Sequence, residues 1–545
     1  MPLSLREKVA QMVVVRASGH LFDSQIRYPI WEPPAAKLQS WISDLGVGGV
    51  LLVDGSAADL AARTEQLQSW AKIPLLIAAD IEQGVGQRFA GATWFPPPMA
   101  IATLARDNPA LAQNYAEQMG AITAREAVAT GLNWILAPVV DVNNNPDNPV
   151  INVRAFGETP ATVSKLATAF IRGAQQFPAL TTAKHFPGHG DTAVDSHVDL
   201  PVLPHSESRL AEIELPPFVE AIAAGVDSVM SAHLSIPAWD ASRPATLSPE
   251  ILTGRLREKL GFGGLIVTDA LVMGAIARRY GIEESAVLAV EAGADILLMP
   301  LDAEVVVKAV CAAVASGRIS EERIDDSLQR IRQAKAKVFP GWQIGGDRPH
   351  SETSSTPSYY LYERLDRPEA RQTAAEILRH SLRCGGSLPL QPEIAGGGGK
   401  LRNLILTDDL LNCRFLGNHT PAIAIPNQLG YELQIIDSNS PSFGAGYLSE
   451  DFAFTLLQLF IRGNPFRQLS TTIEAASLLL KRLLRSSELS GLVIYGSPYT
   501  LELFAPELPS DLPYVFCYGQ MSEAQAIALE VLFGGLQEEK RSKSK

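Results

Sequence analysis

Short apolar runs alternate with longer amphipathic segments over the first 340 residues, and this alternation restricts the possible folds more than any other feature of the sequence. The runs are rich in β-branched residues, as buried strands are, whereas segments such as residues 110–130, 160–176 and 209–224 have helical spacing. Eight runs of the strand type occur, at residues 11–17, 48–53, 74–79, 134–140, 180–183, 226–231, 264–268 and 295–299. Eight successive βα units predict an α/β fold, a (β/α)8 barrel of the TIM type over residues 1–340.

The composition changes after the predicted barrel. Residues 341–358 have no hydrophobic periodicity and are rich in Gly, Ser, Thr and Pro, which is typical of a linker. Beyond them, apolar runs at residues 401–406, 433–436, 492–495 and 514–517 alternate with helical stretches such as 470–487. The sequence therefore predicts a smaller carboxyl-terminal α/β domain over residues 359–545.

The charge balance and the cysteines exclude several classes of protein. Lys and Arg number 46 against 59 Asp and Glu, a net charge of −13, and no long basic run occurs before residue 540, so we expect no nucleic-acid partner. The four cysteines are scattered without CxxC spacing, which argues against a disulfide framework or a zinc site. The apolar run at residues 12–15 is too short for a signal peptide or a membrane span. We therefore expect a cytoplasmic protein with no membrane partner.

Polar residues follow several of the predicted strands. They are Asp80, Asp141, Lys184 with His185, His233 and Asp269. The carboxyl ends of barrel strands converge on one face, where barrel enzymes have their active sites. A single Asp after a strand could equally be a helix N-cap or a turn residue, but several such positions together favour an active site.

The segment from Lys184 to His197 is the densest in chemical groups, with three of the nine histidines. Proline and glycine within it exclude a regular helix and predict a loop after the fifth strand. Asp195 and His197 are two residues apart, so in an extended segment they project to the same side. An Asp beside a His raises the imidazole pKa and orients the ring, as a general acid requires. Alternatively, the two residues only satisfy backbone groups of a surface loop.

A metal site is a second interpretation of this loop. Its candidate ligands are His185, His189, Asp191, Asp195 and His197. Two histidines four residues apart share a face only on a helix, and Pro187 and Gly188 break any helix between them. The pattern therefore favours proton transfer and sugar binding over metal coordination, and we expect no metal.

The seventh predicted strand ends in one carboxylate, Asp269. A carboxylate at this position can attack an electrophilic carbon in the cavity, and with a separate proton donor it forms the machinery of retaining glycoside hydrolysis. The residues alone leave open whether Asp269 reacts with a substrate or only binds it.

These motifs resemble those of glycoside hydrolase family 3. The loop reads KHFPGHG, then four residues, then DSH, and it is similar to the signature of the bacterial β-N-acetylhexosaminidases, which remove N-acetylglucosamine from peptidoglycan fragments. Further similar stretches occur in the same order, at residues 80–88, 136–143, 152–158, 230–233, 244–248 and 267–273. The resemblance extends over residues 1–340, whereas the second domain resembles the family's carboxyl-terminal domain only in its placement.

The resemblance implies a role for each matching residue. Asp269 becomes the nucleophile and His197 the acid/base, assisted by Asp195. The residues implied to bind hydroxyls of the terminal sugar are Asp80, Arg88, Arg154, Lys184 and His185, while His233 and Asp141 lie at similar strand ends. The family usually reads EGGRVQR after the first Asp, whereas this chain has Gln83 and Val85 in place of a Gly and the inner Arg, so subsite shape or aglycone preference is expected to differ.

Taken together, these features predict a retaining exo-β-N-acetylglucosaminidase that acts in peptidoglycan recycling in the cytoplasm. Its partner is a small carbohydrate, and no cofactor is implied. The alternatives are another family 3 glycosidase of the β-glucosidase type, a metal-dependent barrel hydrolase, and a sugar-binding protein without catalysis. The oligomeric state and the role of the second domain are left open.

Overall fold

The structure is a computed structural model that describes residues 3–192, 200–342, 358–391, 400–411, 413–440, 452–462 and 469–535. The chain divides into two compact units. The first comprises Met1–Pro98 and Ala105–Thr373, and the second comprises Met99–Leu104 and Ala374–Lys545. Most of the predicted linker, residues 343–357, lies outside the described residues. The domain limits at residues 340 and 358 stay a prediction.

The first unit contains eight parallel strands in the described part of the chain. They are β1 Val13–Ser18, β2 Gly49–Val53, β3 Leu76–Ala79, β4 Trp134–Ile135, β5 Thr182–Phe186, β6 Ser228–Ser231, β7 Leu265–Val267 and β8 Leu297–Leu298. Strands β4-β3-β2-β1-β8 form one sheet and β5-β6-β7 another. Parallel bridges join the two sheets, between Trp134 and Leu180 and between Val267 and Ile296. The predicted barrel is confirmed, and each strand falls within or overlaps its predicted run.

Helices follow the strands, as the βα alternation predicts. They are α1 Leu5–Ala10, α2 Ala35–Ser40, α3 Ala57–Trp70, α4 Pro98–Leu104, α5 Pro109–Ala129, α6 Pro160–Ala174, α7 Glu207–Glu212, α8 Pro216–Ala223, α9 Gly274–Ala292, α10 Ala303–Ala315 and α11 Glu321–Val338. All of them belong to the first unit except α4, whose residues Met99–Leu104 belong to the second. The single helix expected over residues 209–224 is wrong, since α7 and α8 are separate. Pro216 begins α8, and a proline ring has no N–H to continue the preceding helix.

The barrel interior is filled by buried strand side chains and by polar groups that hydrogen-bond to one another. Strands β1, β3 and β5 are almost wholly buried, as strands that face both a barrel interior and a helical layer must be. The buried Trp134 donates its indole N–H to the hydroxyls of Thr182 at 2.9 Å and Ser228 at 3.1 Å. This contact ties the first residue of β4 to the first residues of β5 and β6, at the amino ends of these strands.

The second unit contains a six-stranded sheet. Its strands are β9 Arg383–Gly385, β10 Lys400–Thr407, β11 Tyr431–Ile436, β12 Phe452–Ile461, β13 Leu489–Gly496 and β14 Tyr514–Cys517, and its helices are α12 Pro368–Ser381, α13 Pro421–Gln428, α14 Leu469–Arg485, α15 Pro498–Phe504 and α16 Ser522–Phe533. The strand order across the sheet is β11-β10-β12-β13-β14-β9. All strands are parallel except β9. The α/β class is confirmed. The central strand β12 was missing from the predicted set, since it is rich in Phe and Leu and has only two β-branched residues, Thr455 and Ile461.

Among the described residues, no helix is both long and apolar enough to cross a membrane.

Candidate active site

Four charged side chains meet at the carboxyl ends of β3 and β5. Lys184 Nζ donates to Asp80 Oδ1 at 2.8 Å and contacts Glu82 Oε1 at 2.7 Å. Arg154, from the long segment between β4 and α6, donates from Nε and Nη2 to the two oxygens of Glu82 at 2.9 and 2.8 Å. The Lys184 side chain is 2% exposed, whereas that of Asp80 is 33% exposed. Asp80 is therefore the member of this group most open to a bound molecule.

The mutual contacts keep all of these groups ionised. Burial alone raises the pKa of Asp80 and of Glu82, but the nearby cations outweigh it, so the pKa of Asp80 is lowered and that of Glu82 lies well below its ordinary value. Burial likewise lowers the pKa of Lys184, yet the two carboxylates outweigh it and raise that pKa. The group therefore presents fixed charges, and hydrogen bonds to ions are stronger than those between neutral groups.

The segment after β3 brings Arg88 to the same place. Its Nε donates to the carbonyl oxygen of Asp80 at 3.1 Å. The two positions at which the chain departs from the family pattern lie beneath the surface, because Gln83 is 1% exposed and Val85 is fully buried. Gln83 accepts from the indole N–H of Trp94 at 3.3 Å. These substitutions are therefore accommodated in the packing beneath the Asp80 segment.

A second group of contacts surrounds Asp141, beyond the end of β4. His185 Nδ1 lies 2.7 Å from Asp141 Oδ2, and the backbone N–H groups of His185 and His189 donate to Oδ1 at 3.1 and 2.7 Å. Burial alone raises the pKa of Asp141, but the charge and the hydrogen bond of His185 outweigh burial, so the pKa of Asp141 lies below its ordinary value. Asp141 thus orients the His185 ring, so its role is to position another side chain.

Hydrogen bonds from Asn148 and Thr192 fix the loop after β5. Asn148 donates to the carbonyl oxygens of His189 and Gly190 at 2.8 and 3.0 Å, and His189 Nδ1 lies 2.8 Å from the hydroxyl of Thr192. A Cβ at Gly190 would lie 1.8 Å from the carbonyl oxygen of Val142, so only glycine fits there. The peptide bonds Lys184–His185 and Phe186–Pro187 are cis. Through the contacts of Asn148 and Val142, residues 186–192 pack against the chain segment that follows β4.

Asp269 lies just beyond the end of β7. Its Oδ1 accepts from the backbone N–H of Ala270 at 2.7 Å. Burial lowers the pKa of His189 to about 4, while the charges of Asp141 and Asp269 act in the opposite direction. Asp269 therefore acts electrostatically on the same histidine that neighbours Asp141, and the His185 and His189 rings are 6.2 Å apart.

His233, after β6, supports the Asp269 segment. Its Nε2 lies 3.1 Å from the carbonyl oxygen of Ala270, which requires that this nitrogen carry the proton, and its Nδ1 lies 2.8 Å from the hydroxyl of Thr246. The side chain is fully buried. His233 thus holds the residue after Asp269.

The predicted acid/base pair, Asp195 and His197, lies outside the described residues. Three other candidate metal ligands from this loop have partners in the protein. His185 contacts Asp141, His189 contacts Thr192, and Asp191 contacts His205 Nε2 at 2.9 Å and Arg209 at 3.3 Å. Within the part of the chain that is described, no group of three His, Cys, Asp or Glu side chains is placed to hold a metal ion.

The structure brings together Asp80, Arg88, Arg154, Lys184 and His185, which come from separate parts of the chain. It also adds residues that the sequence interpretation did not assign. Glu82 is the shared partner of two cations, while Asn148 and Thr246 fix the segments that carry the histidines. Glu82 and Thr246 had a signal in the sequence, because they lie within the similar stretches at residues 80–88 and 244–248, whereas Asn148 had none.

Two family profiles match the chain. Residues 4–334 match the profile described as "Glycosyl hydrolase family 3 N terminal domain". Residues 397–534 match "Bacterial Glycosyl hydrolase family 3 C-terminal domain". The two matches correspond to the barrel and to the six-stranded unit.

Individual proteins show the same similarity. The chain is 35% identical over 337 residues to a "Beta-hexosaminidase A" from Pseudoalteromonas piscicida, with 56% of each chain covered. It is 32% identical over 368 residues to a "Beta-N-acetylglucosaminidase/beta-glucosidase" from Cellulomonas fimi, covering 63% of this chain and 64% of the relative. The match thus spans less than two thirds of either relative. A solved family 3 β-N-acetylglucosaminidase from Paenibacillus sp. str. FPU-7 is 30% identical, with a TM-score of 0.77 and coverage of 98% of this chain and 97% of that one.

Proposed function

The chain belongs to glycosyl hydrolase family 3, and from that premise we propose that it is a retaining exo-β-N-acetylglucosaminidase. The observation that carries the proposal is the placement of fixed charges from β3, β5 and the β4 segment at the barrel face that also bears Asp269. A site of this kind binds the hydroxyls of one terminal sugar and offers a carboxylate to its anomeric carbon.

The proposed reaction has two steps. An oxygen of Asp269 attacks the anomeric carbon and the bond to the leaving oxygen breaks, while His197 gives its proton to that oxygen. A water molecule then attacks the resulting glycosyl ester and loses its proton to His197, which frees the sugar and restores Asp269. Asp195 assists by orienting the imidazole and raising its pKa. The roles of Asp195 and His197 rest on the sequence resemblance.

The proposed glycone site consists of Asp80, Arg88, Arg154, Lys184 and His185. Of these, Asp80 is the accessible acceptor, and Lys184 and His185 are oriented by Glu82 and Asp141. A site whose buried polar groups are arranged for particular hydroxyls rejects a sugar that lacks one of them, because its own groups are left unpaired. We therefore expect strict selection at the terminal sugar.

The N-acetyl preference is supported by the loop motif that begins at Lys184 and by similarity to proteins named β-hexosaminidase or β-N-acetylglucosaminidase. The second candidate function is β-glucosidase activity. It is favoured by the relative whose name includes both activities.

The test is a panel of aryl glycosides with the purified protein. We expect the β-N-acetylglucosaminide to be hydrolysed far faster than the β-glucoside, with the β-anomer released first. Equal rates on both sugars would remove the N-acetyl assignment, and first release of the α-anomer would remove the retaining mechanism. We expect dialysis against EDTA to leave the rate unchanged. Loss of activity that added zinc or manganese restores would favour the metal-dependent alternative.

The natural substrate that we propose is a peptidoglycan-derived saccharide with a terminal N-acetylglucosamine, processed in the cytoplasm. Its support is the resemblance of the Lys184–His197 motif to that of enzymes acting on such fragments. Incubation with purified peptidoglycan fragments, analysed by mass spectrometry, is expected to show loss of one N-acetylglucosamine from the non-reducing end. Intact fragments, together with turnover of the aryl substrate, would point to a different aglycone.

A further inference from the structure

The chain that follows β3 folds back on itself before it enters helix α4. The N–H of Gly86 donates to the carbonyl oxygen of Thr93 at 2.9 Å, and the N–H of Phe95 donates to the carbonyl oxygen of Gln83 at 2.8 Å. A Cβ at Gly86 would lie only 2.7 Å from the carbonyl oxygen of Thr93, so the two stretches of backbone are in direct contact. A displacement of one stretch therefore displaces the other.

Arg88 is carried by the first of these stretches. The 3-10 turn Val85–Gln87 immediately precedes it, and the N–H of Arg88 donates to the carbonyl oxygen of Val85 at 3.1 Å. Gly86 is the middle residue of this turn. Its hydrogen bond to Thr93 therefore fixes the turn that places Arg88.

A buried carboxylate on helix α5 holds Thr93. Glu126 Oε2 accepts from the backbone N–H of Thr93 at 2.9 Å, and Glu126 Oε1 accepts from the Thr93 hydroxyl at 2.6 Å. The same Oε1 accepts from the backbone N–H of Asp366 at 2.8 Å. Glu126 is fully buried and Thr93 is 1% exposed. Thr93 is thus held through both its backbone and its side chain.

The three hydrogen bonds require a carboxylate at this position. Burial raises the pKa of Glu126, and the hydrogen bonds from Thr93 and Asp366 partly offset that rise. Two of the three donors are backbone N–H groups, which cannot accept a hydrogen bond. A carboxylate offers acceptors on both sides, whereas an amide in either orientation turns its NH2 group toward one of these N–H groups.

We propose that Glu126 and Thr93 are positioning residues for Arg88 and that they set the affinity of the site for the terminal sugar. The inference rests on the proposed function, in which Arg88 binds a hydroxyl of that sugar. Both residues are buried, so they act through the hydrogen bond between Gly86 and Thr93. A guanidinium that is displaced from its hydroxyl loses a charge-assisted hydrogen bond, and binding weakens.

The experiment measures kcat and KM for the aryl glycoside that the wild-type protein hydrolyses best, and the inhibition constant of the free sugar that it releases. Thr93→Val removes the hydroxyl and keeps the backbone N–H and the shape of the side chain. We expect KM and the inhibition constant to rise by about 3- to 10-fold, with kcat changed less than about twofold, because sugar binding weakens equally in the ground state and the transition state.

Two further variants test the same contact. Glu126→Gln is expected to act in the same direction and more strongly, because one backbone N–H loses its acceptor. Thr93→Ser retains a hydroxyl and is expected to recover most of the affinity that Thr93→Val loses.

The matched control is Thr253→Val, in the helix Glu250–Lys259 between β6 and β7. The Thr253 hydroxyl donates to the carbonyl oxygen of Ala292 at 2.8 Å, so this variant also deletes one threonine hydroxyl and its hydrogen bond. It is expected to lower the Tm to a similar extent and to leave KM and the inhibition constant unchanged. A loss of stability alone would therefore move the Tm in both variants and KM in neither.

A double-mutant cycle tests whether Thr93 acts through Arg88. Arg88→Ala is expected to lower kcat/KM, and Thr93→Val added to it is expected to cause no further fall, since the side chain that Thr93 positions is gone.

The outcomes separate this inference from the function on which it rests. Unchanged KM and inhibition constants in Thr93→Val and Glu126→Gln would overturn the inference and leave the proposed function standing. An equal effect of Thr93→Val with and without the Arg88 side chain would also overturn it. An active wild type in which Arg88→Ala has no effect would remove the glycone role of Arg88 and the inference with it. Failure of the wild type to hydrolyse any glycoside would overturn the proposed function itself.

Discussion

Glu82 and Arg154 form a two-pronged ion pair, with donor–acceptor distances of 2.9 and 2.8 Å, in which the Glu82 side chain is only 4% exposed. Lys184 contacts the same carboxylate at 2.7 Å. Burial raises the pKa of Glu82, but these two cations outweigh it and keep the carboxylate ionised at neutral pH. Glu82 therefore positions the cations of the proposed glycone site and is unsuited to donate a proton.

This role predicts the behaviour of Glu82→Gln. We expect loss of about 3–5 kcal/mol of stability, because the buried Arg154 loses its carboxylate partner and Lys184 loses one of two. We also expect a fall in kcat/KM of about 10- to 100-fold, because both cations are then misplaced. The fall should be equal for aryl glycosides of every leaving-group pKa, whereas a proton donor would affect poor leaving groups most. Glu117→Gln is the control, because that pair with Arg172 is 3.8 Å long and half exposed, so little change is expected.

The second prediction concerns Asp269. Asp269→Ala is expected to lower kcat on an activated aryl glycoside by several orders of magnitude, because no glycosyl ester can form without the carboxylate. Added azide is expected to restore turnover and to give the inverted glycosyl azide, which chromatography detects. The exposed Asp107→Ala, 76% of whose side chain is accessible, is the matched control. Substantial residual activity that azide does not alter would assign the nucleophile to another residue.

A third prediction distinguishes the acid/base from the nucleophile. His197→Ala is expected to impair cleavage of natural saccharides severely and to spare much of the glycosylation step for a dinitrophenyl leaving group, which departs without a proton. Asp195→Asn is expected to act in the same direction but more weakly. The measurement is a plot of kcat/KM against leaving-group pKa. If the slope for His197→Ala is no steeper than that of the wild type, His197 is not the acid.

The fourth prediction follows from the buried His189, whose pKa burial lowers to about 4. An unfolded histidine titrates near 6.5, so between about pH 6.5 and 4 the unfolded state binds the extra proton and stability falls as the pH falls. The difference between the two pKa values lowers the free energy of unfolding by about 3 kcal/mol when the pH falls through this range. Thermal unfolding of His189→Gln over this range is expected to show a shallower decline. His380→Gln, at an exposed position, should follow the wild type.

The last prediction concerns Lys335 of helix α11, which is 1% exposed and donates to Gln11 Oε1 at 2.7 Å. Burial lowers its pKa to about 7, below the unfolded value of about 10.4. The unfolded state therefore binds more protons between these values, and stability from this residue rises with pH, by up to about 4–5 kcal/mol. Lys335→Met is expected to be more stable than the wild type at pH 7 and to lose that advantage toward pH 10.

The exposed Lys308 of helix α10 provides the control for Lys335. Lys308→Met is expected to leave the pH dependence of unfolding unchanged. An advantage of Lys335→Met that stays constant from pH 7 to 10 would show that the lysine is not neutralised by burial in the native state.

Strand positions could be predicted from the sequence because the requirements of a buried parallel strand are local. Runs such as residues 74–79 are apolar throughout, and each is followed by a segment of helical spacing, so the eight βα units are visible without tertiary information. The break at Pro216 was missed, although a proline has a local effect, because the hydrophobic pattern continues across it. The helical period alone therefore overestimates the length of a helix.

The sequence by itself determined the order of the elements and the residue types at the strand ends, including Asp80, Lys184 and Asp269. Only the tertiary structure decided which of them meet. The shared carboxylate of Glu82 and the contact of His233 with the residue after Asp269 join residues that are 37 to 102 positions apart. The physical reason is that pKa values, ion-pair geometry and desolvation depend on distances across the barrel, and barrel closure sets those distances.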